Sequence, residues 1–240
     1  MDLKEIMPFL VAVLVLVGVV AAAGFAAYTV LRLRAGERVT FPLRLLFRVY
    51  LYLISLISIV IMVSGGSSLV QAGLGAALGK ESSYIPVYVA EPVRPPEQKG
   101  AYQGPTQEEV AAQQQRGLDR AMKEGILNGL SLLVVGAVAW GLHAWGRKRL
   151  ETDEERQGVL HRGYLILLLI IFGVITLVTL PSALFETLRY YVLESVDPLS
   201  RVAHPGGRLA TAIVSLPVWA YYLNATLRIV RRQGTQEALP

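Results

Sequence analysis

Three histidines and no cysteine make up the ligand chemistry of this 240-residue chain. The absence of thiols excludes disulfides, thiolate zinc, iron–sulfur ligation and a Cys nucleophile together. His143 and His161 stand at the ends of neighbouring apolar stretches, on one side of a membrane if those stretches span it. Imidazole ligates haem iron and metal ions, so a pair meeting at a helix seam could hold haem b. The competing reading places His143 with Trp140 and Trp145 in an interfacial girdle of amphipathic rings at headgroup depth. There is no second histidine pair, and the girdle is the expected role. No cofactor is expected, with haem b on His143 and His161 as the alternative.

Other reactive groups are sparse. The chain contains no P-loop, no His-Glu-x-x-His and no Gly-x-Ser-x-Gly. Within the apolar stretches the polar inventory is Asn128, His143, Asn224 and scattered Ser and Thr. Ionisable side chains inside a membrane mark ion paths and proton relays, and their near absence counts against a pump or an ion-coupled transporter. The chain reads as non-enzymatic.

The elements that would position these residues are apolar. Residues 6–31, 49–79, 125–146, 163–185 and 209–227 contain no Asp, Glu, Lys or Arg. About 20 apolar residues cross a hydrocarbon core of about 30 Å at a rise of about 1.5 Å each. With 53% hydrophobic and 17% charged residues, the expectation is an all-α integral membrane protein with five transmembrane helices. The net charge of +5 would suggest nucleic acid in a soluble protein. Here the basic residues flank the spans, so they point to topology and to membrane lipid, and no nucleic acid is expected.

The first stretch is too long for the core of a signal peptide, and its start carries Asp2 and Glu5 beside Lys4, so it should stay as a helix. Gly18, Ala22 and Ala26 share one face of it and would let another helix approach closely. Arginines fill the linker between stretches one and two (Arg32, Arg34, Arg38, Arg44, Arg48). The linker between three and four carries Arg147, Lys148, Arg149, Arg156 and Arg162, and the C-terminal end adds Arg228, Arg231 and Arg232. Basic loops stay in the cytoplasm. The N-terminus is therefore expected outside and the C-terminus inside the bacterial plasma membrane.

A weak repeat runs through the remaining stretches. An offset of 114 pairs Arg48, Tyr50 and Leu51 with Arg162, Tyr164 and Leu165. An offset of 79 pairs Trp140 with Trp219 and Arg149 with Arg228. The expected architecture is one leading helix plus two pseudo-repeated helix pairs. Residues 1–42 hold the leading helix and its basic linker. Residues 43–150 hold the first pair with an outer loop over 80–124, and 151–240 the second pair and a cytoplasmic tail. Gly65 and Gly66 in the first pair, and Pro181 in the second, are expected to break their helices. The tail beyond each break would bend toward the outer interface, where Tyr190 and Tyr191 suit an aromatic belt.

The pairs open on Arg48-x-Tyr50-x-Tyr52 and close on Trp140-Gly141-Leu142-His143. The second pair keeps Arg162, Tyr164 and Trp219 but has Ile166 and Tyr222 where Tyr and His would stand. Over residues 44–232 this resembles an uncharacterised bacterial multi-span membrane family with Arg-x-Tyr-x-Tyr starts and Trp-x-x-His ends. The resemblance implies an architecture and no chemistry.

In the outer loop, residues 82–89 alternate as an extended segment does. Thr106-Gln107-Glu108-Glu109 is a capping-box pattern, so a helix should begin there and run into the third stretch, weakened by Gly117, Gly125 and Gly129. Helix surface and a long outer loop, without reactive groups, point to an accessory or scaffold subunit of a larger membrane complex, with other membrane protein subunits as partners. A haem-b electron-transfer subunit and a small-molecule transporter or channel are the alternatives.

Overall fold

The computed structural model describes residues 43–85, 106–156, 158–193 and 204–237. The leading stretch with Gly18, Ala22 and Ala26 lies outside them. All regular structure among the described residues is helical: α1 (Leu43–Leu78), α2 (Gln107–Leu150), α3 (Asp153–Arg156), α4 (Val159–Leu188) and α5 (Gly206–Glu237). A 3₁₀ turn follows α1 at Lys80–Ser82, and a π-helical turn extends α4 over Arg189–Leu193. Four helices, α1, α2, α4 and α5, are long and apolar enough to cross a membrane. Four of the five expected spans are thus present as such helices. Residues Ile54–Pro240 form one compact unit, and Met1–Leu53 another whose described part is the start of α1. Every contact given below lies within the first.

In hydrocarbon an unpaired peptide group costs several kcal/mol, which holds apolar segments helical against weak local preferences. This corrects the expected breaks. Gly65 and Gly66 lie inside an uninterrupted α1, and Pro181 lies inside α4, as Pro217 does inside α5. Hydroxyls beside these positions donate back to helix carbonyls: Ser68 to Ser64 at 3.2 Å, Ser182 to Val178 at 3.0 Å and Thr179 to Ile175 at 2.7 Å.

Gly65 serves packing. A methyl group there would come within 2.6 Å of the Leu133 amide nitrogen and 2.7 Å of the Gly129 carbonyl; one on Gly129 would meet the Gly65 carbonyl at 2.9 Å. The α1 and α2 backbones touch where neither carries a side chain. Gly136 repeats the device two turns along, against the Ser58 carbonyl and the Met62 amide, both 3.0 Å from its Cβ position. Between lipid-embedded helices such close packing supplies much of the attraction.

The second seam is built differently. Phe172 of α4 stacks on Tyr222 of α5 with ring centroids 6.4 Å apart, and Thr176 donates to Ser215 at 3.2 Å. Near the other end Arg208 pairs with Glu186 at 2.9 Å. Adding the offsets 114 and 79 to Met62 and Gly136 gives Thr176 and Ser215, so the same positional pair meets in both seams. Val214 packs beside Gly66, and Gln71 beside Gly207, joining α5 to α1.

The capping box forms as expected. Glu109 N–H donates to Thr106 Oγ1 and Thr106 N–H to the Glu109 carboxylate. The 44 residues of α2 extend about 66 Å, roughly twice a hydrocarbon core. Its charged first half, from Glu108 to Glu124, therefore stands beyond the apolar layer. The extended reading of residues 82–89 is corrected at its start: Lys80–Ser82 is a 3₁₀ turn and Ser83 a turn residue, while 86–89 lie outside the described residues.

Candidate functional site

Most of the polar chemistry gathers at the basic end of the helices. Trp140 and Arg147 lie seven residues apart on α2 and so share a face. From α4 comes Tyr164, 7% exposed, and from α5 Tyr222, 9% exposed. The Tyr164 and Tyr222 hydroxyls pair with each other, and the side chains of Arg147 and Trp140 lie beside the Tyr164 phenol. The Arg147 guanidinium also lies 5.1 Å from the Tyr164 ring centroid, a cation–π contact. One phenol thus ties three helices together.

The two expected haem ligands are placed differently. His143 Nδ1 lies 2.7 Å from the Ala139 carbonyl of its own helix. A carbonyl only accepts, so Nδ1 carries the proton. His161 joins the phenol cluster: its ring is 6.4 Å from that of Tyr164, with Arg147 and Glu151 as charged neighbours. No group of three or more His, Asp or Glu poised to hold a metal ion occurs among the described residues. Trp145 stands exposed beside His143's turn, with the Arg149 guanidinium 4.9 Å from its ring centroid.

Above the cluster opens an apolar groove of about 440 Å³ between α1, α2 and α5. Ile59, Met62 and Gly66 form one wall, Leu133 and Trp140 the second, and Val214, Val218 and Tyr221 the third. Its volume falls in the range of small-molecule sites, about 300–1,000 Å³. Tyr222 belongs to both groove and cluster, so the apolar space ends on a hydrogen-bonded aromatic floor.

The opposite end of the helices is closed by Ser83 and Tyr84. The Tyr84 ring lies against Gly75 and Gly125, and Ser83 against Gly75 and Gly206, where a side chain on any of the three glycines would collide or crowd. Gln71 donates to the Ser83 carbonyl at 2.6 Å, His204 Nδ1 to that of Glu81 at 2.8 Å, and Lys80 pairs with Asp119. Burial pushes the Tyr84 phenol above its usual pKa, and its hydroxyl has no hydrogen-bond partner among the described residues. Sequence reasoning missed this closure and took Gly125 and Gly129 only as helix weakeners. Their i, i+4 spacing in an otherwise apolar run was the available signal. It also missed the Tyr164–Tyr222 bond, although both tyrosines sat at noted repeat positions.

Residues 108–207, less than half of the chain, match the model of a family described as Domain of unknown function (DUF5671). The match begins at the first turn of α2 and ends at the start of α5, and so takes in Trp140, Arg147, His161 and Tyr164 but not Tyr222. No curated protein and no solved structure matches the chain. Over those residues the chain is similar to an uncharacterised family, as expected, while the Arg-x-Tyr-x-Tyr opening of the first pair lies outside the match.

Proposed function

We propose that the protein is a non-enzymatic accessory or scaffold subunit of a complex in the bacterial plasma membrane. In this reading it has five spans, a leading helix and two pseudo-repeated pairs, with the N-terminus outside and the C-terminus in the cytoplasm. The observation that carries the reading is the uncovered face of α2. Val134, Val138 and Trp145 are 52%, 57% and 59% exposed, and among the described residues nothing lies within 4 Å of the position a Gly141 side chain would take. Ala137, one turn before Gly141, is exposed too. Small residues four apart on an apolar, open face suit the close approach of another membrane helix. Few ionisable side chains accompany it, which favours a partner helix over a translocation path.

The test is Gly141→Leu, which places a branched side chain on the open face and touches no internal seam. After mild solubilisation from native membranes, the wild-type chain should elute as part of a larger assembly and the variant as the lone, still helical chain. If the wild type itself elutes alone, the subunit reading fails and a transporter becomes the better account.

A further inference from the structure

We propose that the groove between α1, α2 and α5 is a binding site for one acyl chain of an anionic phospholipid. The headgroup of that lipid would lie against Arg147 and Arg228. The inference is independent of the subunit reading. Three features of the groove select this occupant. First, its described walls are apolar side chains and a glycine, and only the Trp140, Tyr221 and Tyr222 rings bring polar edges. An alkyl chain makes no demand for hydrogen bonds there, whereas a polar solute would leave its own unpaired.

Second, the aromatic residues are confined to the end nearer the basic helix termini. Trp and Tyr rings sit at the level where acyl chains give way to headgroups. Trp140 is seven residues beyond Leu133, and Tyr221 seven beyond Val214, each about 10 Å along its helix. The groove therefore runs lengthwise, from mid-helix to a belt.

Third, charge continues the same two faces. Arg147 follows Trp140 by seven residues on α2, and Arg228 follows Tyr221 by seven on α5, which returns both close to the groove face. Arg228 is exposed. Two arginines one step beyond an aromatic belt complement a phosphate, and they favour a lipid of net negative charge over a zwitterionic one, whose choline cation offsets the attraction. The lipid comes from the leaflet at this basic end.

Trp140 makes the site readable. In a Trp145→Phe/Trp219→Phe background it is the sole tryptophan, and bromine on an acyl chain quenches it at contact. The full chain is placed in vesicles of mixed phosphatidylglycerol and phosphatidylcholine, with one or the other lipid brominated. Phosphatidylglycerol should be preferred over phosphatidylcholine by about fivefold per arginine, the scale of one basic side chain at an anionic surface. Arg228→Gln should lower that preference, and Gly66→Leu, which fills the groove against Val214, should abolish it. Equal quenching by the two lipids, or a preference that survives Gly66→Leu, overturns the proposal. So does the absence of quenching by either, since protein then covers the groove. Native mass spectrometry of the chain with all its tryptophans, released from the same vesicles, gives a second readout. Retained phosphatidylglycerol that is lost in Arg228→Gln supports the site, and none retained by the wild type refutes it.

Discussion

Tyr164 concentrates more interactions than any residue type in an apolar helix would suggest. Its hydroxyl pairs with that of Tyr222 while its ring carries the Arg147 cation–π contact. Tyr164→Phe keeps the ring and removes one hydroxyl of a buried pair, which leaves that of Tyr222, 9% exposed, unmatched. Losing one partner of a buried hydrogen bond costs about 1–3 kcal/mol. The variant should melt correspondingly earlier in detergent, whereas Tyr221→Phe, at an exposed position, should be close to neutral. Equal melting of the two would mean the network contributes nothing to cohesion. At this scale the sequence was only partly legible. The capping box at Thr106 follows from local chemistry, and it forms as read. The meeting of Tyr164 with Tyr222 depends on how α4 and α5 are set against each other, 58 residues apart in sequence, and no local pattern encodes that.

Among the helices, the glycines changed meaning between sequence and structure. Taken singly, Gly65, Gly66, Gly125 and Gly129 look like weaknesses, because glycine gives up the most backbone freedom on becoming helical. Their surroundings reverse the sign: without water to bond to, the backbone stays helical, and the missing side chain becomes room for a second helix. Gly65→Ala should therefore be harmful even though alanine favours helices. The added methyl would face the Leu133 nitrogen and the Gly129 carbonyl, which cannot move independently of their helix. Overpacking of this kind costs about 1–3 kcal/mol. Gly73→Ala, with nothing within 4 Å among the described residues, should be neutral or slightly stabilising. Thermal melts of the two variants in one detergent would decide; an equally tolerated Gly65→Ala would show that the α1–α2 seam is loose. Span positions were legible because they rest on the absence of charge over some twenty residues. Helix continuity was not, since it is set by the medium.

For the molecule as a whole, the arginine-dense ends make a statement about sidedness that chemistry can check. The chain has no cysteine, so single cysteines at Ser83 and Gly158 can be labelled without background. In intact cells an impermeant maleimide should reach the end that carries Ser83 and spare Gly158→Cys. Because Ser83 is buried among glycines, Glu81→Cys on the same turn serves as its more accessible companion. Labelling of Gly158→Cys alone would invert the orientation, and with it the side on which the arginine-flanked groove opens.

The length of α2 has a mechanical consequence. A helix of 44 residues without a break has no hinge between the half that stands in water and the half held in the apolar layer. Its fixed points against α1 are Gly129 and Gly136, near the middle of the rod. A sideways push on the capped end around Glu109 would be carried along one continuous rod, first to the Lys80–Asp119 pair and the Tyr84–Gly125 contact and then to the α1 seam.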